Sequence, residues 1–142
     1  MTHPSERAAA IVAAARACVG TRFRPQGRDA EFGLDCVGLV AKAYSMAGAV
    51  PVLPQGYALR GGSSDAIWRQ IVANGFAPVD PVKAAPGDLV LCAPAANQFH
   101  LAVLAGRSFI HADARQRRVV ETPGRPSWPV IAAFTWLSEP AS

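Results

Sequence analysis

Residues 100–112, HLAVLAGRSFIHA, carry apolar side chains that alternate with a period of two on either side of Gly106. Gly106 occupies the first central position that a type II′ turn favours, so the stretch reads as a β-hairpin. A loop of two residues, or of four in the same register, sets Leu104 opposite Phe109 and Ala102 opposite His111. His100 lies two residues from Ala102 on the same strand. Its side chain therefore shares a face with His111, as a diagonal neighbour within roughly 8 Å. Two imidazoles then meet above a small alanine.

Outward from this hairpin the same period holds from Gly87 to near the end of the chain. Asp88 to Cys92, His100 to Ala105 and Ser108 to Ala112 read as strands separated by turn residues, and Val119 to Thr122 and Val130 to Leu137 are two more candidates. Before Gly87 the period is helical. A first helix has Ser5 as its N-cap, Ala8, Ile11, Ala15 and Cys18 along one face, and Gly20 just past its end. A second runs from Cys36 to Ala47 with Asp35 as N-cap, Leu39, Val40, Ala43 and Ala47 on its buried side, and Gly48 as its stop. Pro51, Pro54 and Gly56 forbid regular structure. Ser64 caps a third helix, in which Ile67, Trp68, Ile71 and Val72 recur at helical spacing before Asn74 and Gly75 close it. Helices first and an antiparallel sheet of about five strands afterwards make an α+β domain.

The chain has 142 residues, the size of one domain, and no internal repeat divides residues 1–142. Hydrophobic residues make up 51% and charged residues 17%, too apolar for disorder, with no apolar run long enough to cross a bilayer. A net charge of +4 and a pI of about 9.4 suit an anionic partner. The densest cluster, Arg115, Arg117 and Arg118, has no interleaved aromatic platform, which argues against nucleic acid as that partner. Cys18, Cys36 and Cys92 are odd in number and form no CxxC pair, so neither a complete disulfide framework nor a thiolate zinc cluster fits them. At least one thiol is free to react. Arg7 followed by Ala8 to Ala15 superficially matches a secretion signal, but an alanine run is a strong helix former and a weak hydrophobe. The expectation is a helix, and no export signal.

The first turn of a helix favours a thiolate through its unpaired N–H groups and the positive end of its dipole, and Cys36 sits there. A histidine whose second nitrogen is oriented by another polar group suits a general base. His100 has two candidate orienters, His111 diagonal to it and Asp113 directly opposite it in the same register. The hairpin alone leaves these level. Two histidines without nearby acidic or thiol partners make a poor zinc site, so neither metal nor cofactor is implied.

The run GLDCVGLV, Gly33 to Val40, resembles the nucleophile motif of NlpC-type cell-wall cysteine peptidases, a papain-like family. Gly87, Asp88, Leu89 and Val90 resemble their first sheet strand. His100 to Leu104, followed by Phe109 to Ala112, resembles their histidine strand and its partner. The resemblance runs from about Ile11 to Phe134. It implies the papain-like NlpC fold and the assignment of Cys36 as nucleophile, His100 as base and His111, over Asp113, as orienter. It also implies a peptidoglycan substrate, cut in the stem peptide at the bond between D-glutamate and a diamino acid. Arg22, Arg24, Arg28 and Arg60 are available to that peptide's carboxylates.

Two departures from the family pattern stand out. Phe23 replaces a usual tyrosine whose phenol is held to polarise the substrate, which leaves the oxyanion to the Cys36 backbone N–H and a side chain such as Gln26. Asp35 and Arg24 flank the same region. Val37 replaces the serine that commonly follows the nucleophile, as in phage-associated members. The ending, Val119 to Glu121, Trp128 and Ile131 to Phe134, resembles short peptidases encoded with phage tails and gene transfer agents. Such members imply tail proteins as partners, with no nucleic acid or membrane, and delivery to the periplasmic wall on a particle made in the cytoplasm. The rivals are a catalytically silent tail-tip or wall-binding protein, and an amidase or acyltransferase on another substrate.

Overall fold

The computed structural model describes residues 4–29, 31–48 and 63–137. The breakers at Pro51, Pro54 and Gly56, and Arg60, lie outside the described residues. Helix α1 spans Pro4–Ala17 and buries Ile11, Ala14 and Ala15, with Cys18 just beyond. Proline suits the first helical position, where no N–H is needed, so Ser5 lies inside the first turn instead of capping it. Short strands β1 (Arg28–Asp29) and β2 (Gly33–Leu34) pair antiparallel and lead into α2, Cys36–Met46. Helix α3, Ser64–Ala73, buries Ile67 and Ile71 while Trp68 stays exposed. Its cap is Ser63, one residue before the expected Ser64, because the Ser63 hydroxyl is the one that accepts from Ala66 N–H, at 3.1 Å.

The main sheet holds β3 (Phe76–Val79), β4 (Leu89–Ala95), β5 (Gln98–Leu104), β6 (Ser108–Asp113), β7 (Arg118–Pro123) and β8 (Val130–Trp136). Its spatial order is β3-β8-β4-β5-β6-β7, with antiparallel pairing throughout. Five strands are those expected and β3 is a sixth. Pro78 argues against a strand there, but β3 is an edge, where a missing N–H costs no ladder bond. The β5–β6 turn has two residues: Ala105 N–H donates to the Ser108 carbonyl at 2.9 Å, and Gly106 takes φ +98°.

Strand alternation divides the core. Leu89, Leu91, Leu101, Val103, Ile110 and Ala112 pack with the helices, whereas Val90, Cys92, Ala102, Leu104 and Phe109 form a smaller cluster apart from them. The β5–β6 ladder is short. Val103 pairs with Ile110 and Leu104 with Phe109, and no further β5–β6 pair forms. Beyond that point β5 stays with β4, as in Cys92 with His100, and β6 stays with β7, as in His111 with Val120. The two strands diverge where Ala102 was expected to face His111, and Asp113 to face His100. Helix α2 packs against both strands.

The first turn of α2 is fixed by Asp35. Its Oδ1 accepts from Gly38 N–H and Arg28 Nη1, and its Oδ2 from Gln26 N–H, each at 2.8 Å. This carboxylate both caps the helix and ties residues 26–28 to it. The approach is close: a Cβ on Gly38 would lie 1.9 Å from the Gly27 carbonyl oxygen, which is backbone and cannot swing aside. Gly38→Ala is therefore expected to destabilise the protein by about 1–3 kcal/mol, the range for an overpacked interior. A denaturant midpoint equal to that of wild type would contradict this contact.

Candidate active site

Cys36, His100 and His111 line one cleft of about 920 Å³. His100 Nε2 lies 2.9 Å from His111 Nδ1, so the two rings are hydrogen-bonded across the gap between the diverging strands. Bonding from Leu104 N–H to the Asp88 carbonyl at 2.9 Å turns the even residues of β5 toward β4, and Leu101 therefore turns its backbone toward the gap. There the Leu101 backbone lies near enough to the Cys36 thiol to favour its thiolate. The nucleophile candidate thus lies beside the residue that follows His100.

The histidine pair is enclosed by aromatic rings. Phe109 stacks on His111 with centroids 5.0 Å apart, and Trp128 meets His100 at 5.2 Å and His111 at 5.3 Å, edge to face. His111 Nε2 reaches Thr122 Oγ1 at 3.4 Å. Thr122 and Trp128 complete this arrangement, and sequence reading gave neither a place in it. Thr122 could have been found from the β6–β7 register, which sets it opposite Phe109, two residues from His111. Trp128 lies outside the regular strands and carries no such signal.

Burial governs the electrostatics. It pushes the Cys36 thiol up to about 12, although hydrogen bonds from the Leu101 and Val37 backbone and the Arg28 charge pull the other way. Burial, followed by the charge that His111 would carry, lowers His100 to about 4 against the pull of Asp113. His111 is also lowered, chiefly by burial. Both shifts favour the neutral forms of the candidate pair. The start of α2 alone favours a thiolate, but here desolvation outweighs it.

The other expected residues separate by position. Phe23, Gln26 and Asp35 line the cleft, with the Asp35 carboxylate already engaged in capping and Gln26 held at φ +58° by its N–H bond to that group. Arg24 lies outside the cleft lining and borders an adjoining hollow of about 380 Å³ with Arg28 and Phe32. Asp113 lines the cleft without bonding to either histidine. Its carboxylate accepts from Arg115 N–H at 2.8 Å and Gln116 Nε2 at 3.0 Å.

A family model described as the NlpC/P60 family matches residues 20–130. The chain belongs to the NlpC/P60 family. Solved structures share the fold. The P60 domain of an antigen from M. avium subspecies paratuberculosis is 18% identical with a TM-score of 0.69, covering 97% of this chain and 99% of its own. NlpC2 from Trichomonas vaginalis is 16% identical with a TM-score of 0.71, covering 96% of this chain and 49% of its own. The peptidoglycan hydrolase RipB from Mycobacterium tuberculosis is 21% identical with a TM-score of 0.62, covering 93% of this chain and 65% of its own. This chain thus spans about half of NlpC2 and just under two thirds of RipB. No curated protein matches it in sequence.

Cys18 and Cys92 are buried away from the cleft, so in the folded protein Cys36 is the thiol expected to be alkylated. With its pKa raised, the thiolate fraction grows about tenfold per pH unit below that value, and the rate with iodoacetamide is expected to climb steadily from pH 6 to pH 9. Mass spectrometry of timed samples measures it. A rate already flat between pH 6 and pH 8 would show a preformed thiolate–imidazolium pair instead.

Proposed function

We propose that this NlpC/P60 protein is a cell-wall cysteine peptidase that hydrolyses amide bonds in peptidoglycan stem peptides, with Cys36 as nucleophile, His100 as base and His111 as its orienter. The observation that carries this reading is the 2.9 Å bond between the two histidines in the cleft that Cys36 also lines. That bond occupies His100 Nε2 and leaves Nδ1 for the thiol. For Nδ1 to accept a proton, Nε2 must carry the ring hydrogen and donate it to His111 Nδ1. His111 then carries its own hydrogen on Nε2, the nitrogen beside Thr122 Oγ1. One pattern of tautomers satisfies all three groups.

The chemistry is acyl transfer from a neutral pair. As the sulfur forms its bond to the peptide carbonyl carbon, the thiol proton passes to His100 Nδ1, and the imidazolium returns it to the departing amine when the C–N bond breaks. Water, deprotonated by His100, then cleaves the thioester. Asp113 favours the transient imidazolium, since its carboxylate raises the proton affinity of both rings. The oxyanion falls to backbone N–H groups near the start of α2 and to Gln26, because Phe23 borders the cleft without a donor.

Peptidoglycan is the substrate of structural relatives named as its hydrolases, RipB among them, and this supports a wall peptide here. The finer assignment, cleavage between D-glutamate and a diamino acid, rests on the resemblance of the Cys36 and His100 motifs to the NlpC type. Delivery on a phage-tail or gene-transfer-agent particle rests on the resemblance of residues 119–134. Phe23 favours one alternative, a wall-binding protein without activity.

Digestion of purified peptidoglycan is expected to release stem-peptide fragments without new reducing ends, since a thiol and an imidazole have no role at a glycosidic bond, which calls for paired carboxylates. Fragment masses name the bond cut. Cys36→Ala is expected to abolish release and His100→Ala nearly so, whereas His111→Ala leaves a remainder because an orienter contributes less than the pair it positions. Phe23→Tyr is expected to raise the rate. Equal inertness of wild type and Cys36→Ala on walls from several bacteria, with binding retained, would replace the peptidase by the silent wall binder.

A further inference from the structure

The segment after α1 lies along the start of β7. Gly20 N–H donates to the Val119 carbonyl at 2.9 Å, Val119 N–H to Thr21 at 2.8 Å and Phe23 N–H to Arg117 at 2.9 Å. This pairing places Arg22 directly opposite Arg118 in an antiparallel bridge, with Arg117 and Arg115 in the adjoining β6–β7 turn. All four arginines are exposed. Like charges directly opposite each other across an antiparallel pair are destabilising.

Among the described residues no side chain forms an ion pair or hydrogen bond with either arginine. Three arginines elsewhere have partners: Arg16 bridges to Glu121, Arg28 to Asp35, and Arg125 donates to the carbonyls of Pro81 and Ala84. The four at the turn form no ion pair and no side-chain hydrogen bond. Asp113, the register partner of Arg118, is the nearby carboxylate, but it bonds back to the Arg115 N–H and the Gln116 amide. The patch also adjoins the cleft, because Arg115 lines it together with His111 and Asp113.

We propose that Arg22, Arg115, Arg117 and Arg118 form a carboxylate-binding rim that holds an anionic peptide by the groups flanking the bond lying in the cleft. The assignment of the cleft to a peptide rests on the function proposed above. Guanidinium groups suit the ligand because their forked donors match a carboxylate in two bonds. The rim lacks the aromatic platforms on which single-stranded nucleic acid stacks.

The test uses the full chain carrying Cys36→Ala, so that binding is read without turnover. The probes are peptidoglycan sacculi stripped of attached anionic polymers, the same sacculi with carboxylates amidated, unstripped sacculi and a single-stranded DNA oligonucleotide. Arg115→Gln with Arg118→Gln is expected to weaken binding to stripped sacculi about tenfold at low salt, at about two- to fivefold per exposed charge, and less as salt rises. Amidation is expected to weaken the parent to the same degree and to erase the difference between parent and variant. Arg→Lys at both positions is expected to recover part of the affinity, and relief of the Arg22–Arg118 repulsion should leave the melting temperature of the Gln variant at or slightly above that of the parent.

Equal binding by parent and variant would overturn the proposal, as would an arginine effect that persists on amidated sacculi, binding confined to unstripped sacculi, or tighter binding to the oligonucleotide. The two readings fail separately. Arginine- and carboxylate-dependent binding alongside an inert wild type removes the peptidase and keeps the rim. Hydrolysis whose KM ignores these arginines does the reverse.

Discussion

The structure turns on the point at which β5 and β6 part. A continued ladder would have satisfied the Leu101 backbone with β6 and closed the space between the strands. Because the pairing ends at Val103 and Ile110, β5 bends away with β4 and β6 with β7, and the backbone of Leu101 is left facing an open wedge. A buried peptide group left unpaired is costly. Here the Leu101 backbone faces Cys36 on the first turn of α2, and the side chains of His100 and His111 hydrogen-bond across the same gap. The local loss of sheet structure thus brings thiol and imidazoles to one cleft.

Enclosure has an electrostatic consequence. Phe109 and Trp128 cover the histidine pair, and desolvation of this kind penalises every charged form. The Cys36 thiol is pushed up and the His100 imidazole down, so burial favours the neutral form of each. In the proposed mechanism, charge would develop only as a substrate carbonyl and its oxyanion enter the same space. In that setting the fixed Asp113 carboxylate and the donors at the start of α2 act in a medium that screens them little. The aromatic cover and the modest local charge belong to one design.

Much of this was legible from residues. The hairpin followed from Gly106 and from the alternation around it, and the cap at Asp35 from the glycine and apolar pattern after it. What the sequence concealed has physical causes. Strand β3 contains Pro78, and only its edge position, a tertiary fact, makes that proline acceptable. The divergence of β5 from β6 leaves no local mark, since the alternation is the same in paired and unpaired stretches. Asp113 looked equivalent to His111 because a continuous register would have set it opposite His100. The break in pairing, together with the pull of Arg115 N–H and Gln116, directs its carboxylate into its own turn. Ser64 lay one residue past the true cap because Ser63 and Ser64 offer the same hydroxyl, and Ser5 lies inside a helix that Pro4 begins.

Asp35 shows how one side chain couples stability to the site. As a candidate for substrate binding it would need a free oxygen, but Gly38 and Arg28 share Oδ1, and Gln26 takes Oδ2. These bonds join the helix that carries Cys36 to the loop that carries Gln26, across a contact so close that Gly38 leaves no room for a Cβ against the Gly27 carbonyl. The thiol and one wall of the cleft are consequently positioned by the same carboxylate. Bidentate capping of this kind holds a loop far more narrowly than apolar contact does, because hydrogen bonds to a charged acceptor fix both distance and direction. The residue before Cys36 therefore holds the groups around the cleft in place, and needs no contact with a bound peptide to do so.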